Sequence, residues 1–182
     1  MAKRVFKASL SVDSIRNLQK ELTAYRDSLP DKCKRFVVSL SEAGIAVAKQ
    51  NTGNYGKYIT FSTKTEPEKD GCKAIMLASE TGKIVSAWKV GDNKIKTADV
   101  SPLLMVEFGS GWRAENPMEV PGVGQGTFPE QSHAYDKEGW YWIGLDDKLY
   151  HSYGISPKKP MYFASLEIQR IVIEKAKEIF GA

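Results

Sequence analysis

Three residues in the second half of the sequence could carry hydrolytic chemistry: Glu107, His133 and Asp136. An imidazole exchanges protons near neutral pH, and two carboxylates could orient it or take part in the proton transfer. Ser132 is the hydroxyl beside His133, but the strand-to-helix elbow that exposes a catalytic serine does not surround it. A small hydrolase-like enzyme using these three residues is therefore an alternative, and local hydrogen bonding is the simpler role for His133.

A second candidate is the run Gly122-Val123-Gly124-Gln125-Gly126, which imitates the glycine-rich loops that bind phosphate. Such a loop needs a strand before it and a helix after it, whose amide groups point at the phosphate. Here the neighbours are Pro121 and Thr127-Phe128-Pro129, which favour neither. The two cysteines and two histidines also lack metal-ligand spacing, so we expect no cofactor and no metal.

The carboxylate of Glu107 needs a separate explanation, because it stands near the end of a short predicted helix between Val106 and Phe108. A negative charge at a helix C-terminus is unfavourable by roughly a few tenths of a kcal/mol. We therefore expect Glu107 to have a partner, which is either the guanidinium of Arg113 or a backbone amide. Both alternatives give Glu107 a structural role, which we prefer to a catalytic one.

Aromatic side chains are denser in the second half of the chain than elsewhere. They are Trp112, Phe128, Tyr135, Trp140, Tyr141, Trp142, Tyr150 and Tyr153. Aromatic residues of this kind are enriched at the centres of protein interfaces, and they can also stack on single-stranded nucleic acid. The loop holds only Arg113 and Lys137 as cations, too few to follow a nucleic-acid backbone. The pattern favours a protein interface.

Composition limits the remaining classes. The chain has 182 residues, 42% of them hydrophobic and 26% charged, which is typical of one globular domain spanning residues 1–182. The net charge of +4 is scattered along the chain, so a basic nucleic-acid-binding module is only a third alternative. The N-terminus lacks the apolar run of a signal peptide, and no segment reaches about eighteen apolar residues. We expect a protein of a reducing cytoplasm, without a membrane partner and with free thiols at Cys33 and Cys72.

The first half of the chain predicts helices followed by strands. Apolar residues recur at three- and four-residue steps from Val12 to Leu29, and Pro30 is expected to end that helix. A second helix would then run to residue 50, which makes 11–50 a helical hairpin. Runs of β-branched and aromatic residues at 58–63, 74–79 and 84–90 predict an antiparallel β meander within 57–100.

The second half predicts a short helix over 101–109, which Ser101-Pro102 would begin and Gly109 would end. A long loop over 110–139, a β hairpin over 140–153 and a helix over 160–180 follow. The fold class is therefore α+β. We expect an antiparallel sheet of about four to five strands, packed by the N-terminal helix pair and the C-terminal helix, with the loop used for interaction.

Five motifs of the second half, in a fixed order, resemble those of a known family. They are Val106-Glu107-Phe108-Gly109-Ser110-Gly111, Gly124-Gln125-Gly126-Thr127-Phe128-Pro129-Glu130-Gln131-Ser132-His133-Ala134, Gly139-Trp140-Tyr141-Trp142, Ser152-Tyr153-Gly154-Ile155 and Pro160-Met161-Tyr162-Phe163-Ala164. The chain resembles the neck or tail-completion proteins of long-tailed bacteriophages, of the type found in HK-ninety-seven-like phages and also labelled minor tail or head-tail joining components. Ser110 and Lys159 depart from this pattern, where the family usually carries Thr and an Arg-Pro lead.

The resemblance implies a non-enzymatic virion protein that forms a homo-oligomeric ring at the head-tail junction, around the channel through which DNA passes. Its implied partners are other copies of itself, a head-completion or connector protein, and a tail-terminator or tail-tube protein. It would be found in the neck of the virion, and in the host bacterial cytoplasm during assembly. We take the following motif and aromatic residues as candidate interface positions: Glu107, Phe108, Gly109, Trp112, Gly124, Gly126, Phe128, Trp140, Pro160 and Met161.

Overall fold

The structure, a computed structural model, describes residues 6–69, 71–82, 84–91, 94–114 and 136–181. These residues form a mixed α+β fold, which confirms the predicted class. The elements are α1 (Val12–Gln50), a 3-10 helix (Gly53–Tyr58), β1 (Ile59–Glu68), β2 (Gly71–Glu80), β3 (Ile84–Val90), β4 (Lys94–Val100), α2 (Pro102–Phe108), a 3-10 turn (Gly111–Arg113), β5 (Trp140–Ile143), β6 (Leu149–Ser152) and α3 (Pro160–Phe180).

The predicted helical hairpin over 11–50 is wrong, because α1 is one helix of 39 residues that contains Pro30. Proline removes one helical hydrogen bond and crowds the preceding turn, which costs about 3 kcal/mol in a helix interior. Good helix formers on both sides continue the helix, and Pro30 is exposed, so its ring points away from packed side chains. The helical preference of the segments that flank Pro30 therefore outweighs the local cost of the proline.

The single domain over 1–182 stays a prediction, and within it the chain divides into two compact units. The first unit comprises Met1–Ile45, Ser62–Leu77 and Ser165–Ala182, and the second comprises Ala46–Phe61 and Ala78–Ala164. Helices α1 and α3 and strands β1 and β2 each contribute residues to both units.

The first unit packs α1, the β1–β2 hairpin and α3 around small and aliphatic side chains. Gly44 of α1 is in close contact with the side chains of Ile168 of α3 and Met76 of β2. Near the other end of α3, the rings of Phe36 and Phe180 meet edge to face, with centroids 5.5 Å apart. These pairs place α3 antiparallel to the C-terminal half of α1.

The predicted β meander over 57–100 is also wrong, because its strands belong to two sheets. Strands β1 and β2 pair only with each other, while β3 joins a four-stranded antiparallel sheet with the order β4-β3-β5-β6. After β2, the Thr81 amide donates to the Tyr58 carbonyl (2.9 Å) and its hydroxyl to the Lys57 carbonyl (3.2 Å). These bonds attach the chain to the 3-10 helix before β3 begins, so β3 does not return along β2.

The later elements lie where the sequence predicts them. Helix α2, the β5–β6 hairpin and α3 match the expected ranges 101–109, 140–153 and 160–180. The edge strand β4 was not predicted. Of the long loop expected over 110–139, residues 115–135 lie outside the described part of the chain.

Candidate functional site

Two segments that are far apart in the sequence meet in the second unit, at Ser110 and Ile155. The Ser110 amide donates to the Ile155 carbonyl (2.9 Å), and the Ile155 amide donates to both the carbonyl (3.2 Å) and the Oγ (3.1 Å) of Ser110. Ser110 is only 1% exposed, so these bonds form away from water, where unpaired groups would be costly. We call the cluster of Val106, Glu107, Gly109, Ser110, Gly154, Ile155 and Met161 the α2–α3 junction.

Two glycines allow this close approach. A Cβ built on Gly154 would lie 1.9 Å from the Ser110 carbonyl oxygen, and one on Gly109 would lie 2.5 Å from the Ile155 carbonyl oxygen. Both residues also have positive φ, +85° and +79°, which side chains disfavour. The junction therefore requires glycine at both positions, for its backbone conformation and for its lack of a side chain.

A backbone carbonyl near the C-terminal end of α2 accepts hydrogen bonds from the segment that precedes α3. The Val106 carbonyl accepts hydrogen bonds from the amides of Lys158 (2.7 Å) and Lys159 (3.2 Å). The last carbonyls of a helix lack partners within the helix, and Val106 is fully buried, so this pairing removes a cost that α2 would otherwise carry.

The carboxylate of Glu107 caps α3. Its Oε2 accepts from the Met161 amide (2.9 Å) and its Oε1 from the Tyr162 amide (3.2 Å). Both amides belong to the first turn of α3, where the helix dipole attracts negative charge. Of the two partners expected for Glu107, the structure has the backbone amides, and the guanidinium of Arg113 lies 5.9 Å from the ring centroid of Tyr153.

The start of α2 is capped in the same way. The Ser101 side chain accepts from the Leu104 amide (3.1 Å), as predicted, and its hydroxyl donates to the carboxylate of Glu80. The same Glu80 oxygen accepts from the Leu103 amide (3.2 Å). Two carboxylates from outside each helix, Glu80 and Glu107, therefore hold the first turns of α2 and α3.

One face of the four-stranded sheet packs towards the junction. Trp140 and Trp142 of β5, with Trp88 of β3, line a half-open cavity of about 150 Å³, and Met105 and Ile155 also line it. The β5 burial alternates, with the two tryptophans half-buried and Tyr141 and Ile143 exposed. The tryptophans are thus part of the packing of the second unit, and the cavity is too small for most ligands.

The opposite face of the sheet carries stacked aromatic rings. The rings of Tyr141 and His151 lie parallel with centroids 4.1 Å apart, and Tyr153 tilts against His151 at 4.4 Å. The register puts Leu149 beside Ile143 on this face, 66% and 41% exposed. We call these five side chains the aromatic face.

The sequence indicated an interface rich in aromatic residues, but it did not separate the aromatic face from the tryptophans of the opposite face. His151 of this face is exposed, and its Nε2 lies 2.6 Å from the Glu138 carbonyl oxygen. The alternation of Tyr141 and Ile143 with the two tryptophans was the available signal, because alternate residues of a strand point to opposite faces.

The predicted site residues separate into distinct groups. Glu107, Gly109, Pro160 and Met161 belong to or adjoin the α2–α3 junction, with Gly109 and Pro160 buried. Phe108 and Trp140 are half-buried, and Trp112 is 49% exposed with the Lys137 ammonium 5.1 Å from its ring centroid. Gly124, Gly126, Phe128 and His133 lie outside the described residues, while Asp136 is exposed.

The described ranges of the chain show neither a metal cluster nor a membrane-spanning helix. Within them, no three or more His, Cys, Asp or Glu side chains are grouped so that they could hold a metal ion. No helix in the same ranges combines the length and apolar character that a membrane crossing requires. Cys33 and Cys72 are half-buried free thiols.

Comparisons with protein-family models, with curated proteins and with solved structures found no match. The likeness to phage neck proteins therefore rests on the sequence motifs alone.

Proposed function

We propose that this protein is a structural virion component of a tailed phage or prophage, which forms a ring at the head-tail junction. In this role it joins the connector to the tail and surrounds the DNA channel. The observation that carries the proposal is the α2–α3 junction. Three of the five motifs that give the family resemblance contribute residues to it, through Ser110, Ile155 and Met161.

The exposed side chains support an assembly role. Leu149, Tyr141 and Tyr153 are 66%, 64% and 46% exposed on the aromatic face, and Val85 and Ile95 add exposed apolar surface on the neighbouring strands β3 and β4. Exposed apolar side chains that are grouped on one surface often mark a site of interaction with a partner. Tyrosines that present both a ring and a hydroxyl are typical of interface centres.

Among the described residues, the sheet ends at two different edge strands, β4 and β6. A ring needs a heterologous interface, in which one surface of a subunit binds a different surface of the next. An aromatic face flanked by unlike edges offers such a pair of surfaces. We therefore propose that this sheet forms the contacts between ring subunits. The ring would in addition contact the connector and tail proteins.

The hydrolase alternative loses support from the position of Glu107. Both of its carboxylate oxygens accept hydrogen bonds from α3, so the group is used in capping that helix. The nucleic-acid alternative would need several cations aligned along one surface. Lys94 and Lys96 are exposed on β4, but the other strands of the sheet do not extend them into a continuous basic stripe.

The test combines assembly with matched variants. The purified chain is measured by light scattering across concentration, imaged by negative-stain electron microscopy, and mixed with tailless heads and free tails of the phage that encodes it. We expect rings and an increase in joined particles. A protein that stays monomeric and also fails to join heads to tails would overturn the proposal.

The variant Leu149→Ser removes an exposed apolar side chain from the aromatic face and should reduce ring formation without lowering the thermal midpoint by more than about 2 °C. Lys96→Ser is the control, because Lys96 is exposed on the same sheet and points to its opposite face. Equal assembly by both variants would remove the aromatic face from the ring contact.

A further inference from the structure

The N-terminal half of α1 carries an apolar stripe at strict heptad spacing. Ile15, Leu18, Leu22, Tyr25 and Leu29 follow one another at steps of three, four, three and four residues. This spacing is the a-d-a-d-a pattern of a coiled coil, with isoleucine and leucines at the a positions and leucine and tyrosine at the d positions. A stripe that only faces its own protein core is usually wider than this.

Much of this stripe is presented to solvent. Ile15 is 51% exposed and Leu22 is 45% exposed, and Val12 beside them is 64% exposed. Ile15, Leu18 and Leu22 line an open groove together with Gln19, Thr23 and Arg26. Leu18 is half-buried, and farther along the ring of Phe6 covers part of the stripe where it meets the ring of Tyr25 edge to face, with centroids 5.9 Å apart.

The residues that flank the stripe define an orientation for a partner helix. Glu21 occupies a g position, and Arg26, five residues later, occupies the e position of the next heptad. In a parallel, in-register pair of helices, each g residue faces the e residue of the next heptad on its partner, which brings Glu21 against Arg26. An antiparallel pair sets g positions against g positions and e positions against e positions, so it would lose the ion pair between Glu21 and Arg26.

Arg26 remains available for this contact. Its guanidinium already pairs with Asp27 at 2.9 Å, but both side chains are at least 60% exposed, so this pair is a weak surface contact. A guanidinium has five donors and can bind a second carboxylate. The charges therefore select another copy of the same stripe as the occupant.

We propose that α1 packs against α1 of a second copy of this chain, as a short parallel coiled coil over residues 15–29. The inference rests on the proposed function in one respect, since both require copies of the chain to associate. It adds a surface that the ring proposal does not name. A parallel arrangement also agrees with cyclic symmetry when the helices run along the symmetry axis.

The paired segment is short, about 22 Å at the 1.5 Å rise per residue of an α-helix. Two heptads and one further position are fewer than the three or four that a self-sufficient coiled coil needs. We therefore expect the contact to be weak alone and to strengthen when other subunit contacts raise the effective concentration of the helices.

Cross-linking tests the register directly. In a full-length background in which Cys33→Ser and Cys72→Ser remove the native thiols, Leu22→Cys places a thiol at an a position, and Lys20→Cys places one at the outward-facing f position. A short bismaleimide should link Leu22→Cys copies into dimers and leave Lys20→Cys largely unlinked, with circular dichroism confirming that both fold. No dimer from Leu22→Cys at high protein concentration, or equal linking at position 20, would overturn the proposal.

A charge exchange tests the orientation. Glu21→Arg and Arg26→Glu should each lower the yield of the Leu22→Cys dimer by about two- to five-fold, and the double variant should restore it. A double variant that links no better than the singles would overturn the parallel arrangement. This result is expected if the helices pair antiparallel or if another helix occupies the groove.

The two proposals can fail separately. Rings that join heads to tails without a cross-link at position 22 would remove the coiled coil and leave the proposed function intact. A cross-link at position 22, in a protein that forms no ring and does not join heads to tails, would support the coiled coil and contradict the proposed function.

Discussion

The Oε2 atom of Glu107 accepts a hydrogen bond of 2.9 Å from the backbone amide of Met161, 54 residues later in the chain. Its other oxygen takes the next amide, that of Tyr162. A carboxylate that would repel the C-terminal dipole of its own helix α2 is thereby placed at the positive end of α3. One side chain thus links the end of one helix to the start of another.

We expect Glu107→Ala to destabilise the protein by about 1–2 kcal/mol, because it leaves two first-turn amides of α3 without an acceptor. Glu107→Gln keeps one acceptor oxygen and loses the charge, so it should cost roughly half as much. Urea denaturation followed by circular dichroism measures both effects.

The control is Glu42→Ala, which removes an exposed glutamate from α1 and should change the stability by less than about 0.5 kcal/mol. A loss of stability for Glu107→Ala no larger than for Glu42→Ala would contradict the capping role.

The junction glycines give a second prediction, on strain. Gly154→Ala should cost at least about 3 kcal/mol or prevent folding, because its Cβ would overlap a backbone oxygen that cannot move away. Gly91→Ala should cost only about 1–2 kcal/mol, since Gly91 has φ +53° but no atom within 4 Å of a built Cβ. Gly71→Ala has neither constraint and should be nearly neutral.

Thermal melts of the three variants check this order. Equal losses for Gly154→Ala and Gly91→Ala would show that left-handed backbone alone, and not close approach, requires glycine in the junction.

The sequence predicted those parts of the fold that local signals decide. Ser101-Pro102, Gly109 and Pro160 determine helix ends because caps, left-handed residues and proline act within one turn. Pro30 misled the prediction for a physical reason. Its cost of about 3 kcal/mol is local, while the helical preference of both flanks extends over many residues.

The sequence alone could not predict which distant strands pair with each other. Nothing near β2 and β3 indicates that they join different sheets, because strand partners are chosen by distant segments. Strand β4 escaped notice because Lys94 and Lys96 give it the polar character of an edge. For Glu107, the sequence predicted a backbone amide as one possible partner but could not locate it on α3.

A third prediction concerns the contact of α1 with α3 in the first unit. A Cβ on Gly44 would lie 2.8 Å from Cδ1 of Ile168, so Gly44→Ala should lose about 1 kcal/mol, despite the higher helix propensity of alanine. Ile168→Val removes that Cδ1 and alone costs about 0.5–1.5 kcal/mol. The double variant should be more stable than the sum of the two losses predicts, by about 1 kcal/mol.

A double-mutant cycle in urea measures this coupling. Additive losses of stability would mean that Gly44 and Ile168 are not in contact. Gly82→Ala is the control, because a Cβ built on Gly82 has no atom within 4 Å.

The last prediction concerns ionisation at the β5–β6 turn. The Tyr150 hydroxyl donates to Oδ2 of Asp146 at 2.9 Å. This hydrogen bond raises the pKa of Tyr150 above its usual 10.0 and lowers the pKa of Asp146 below its usual 3.8. A raised tyrosine pKa stabilises the fold below pH 10.0, and this contribution is lost as the pH rises through the folded value. A lowered aspartate pKa stabilises it above pH 3.8 and is lost as the pH falls through the folded value.

Titration of carbon-13-labelled tyrosine by NMR, with Tyr150→Phe to assign the signal, should therefore place Tyr150 above pH 10.0. Asp146→Asn removes the carboxylate and should return the midpoint towards that value. Asp147→Asn is the matched control, because its carboxylate pairs with Lys89 and should leave the Tyr150 titration unchanged. An equal change in both variants would assign the shift to general turn charge, and not to the hydrogen bond between Tyr150 and Asp146.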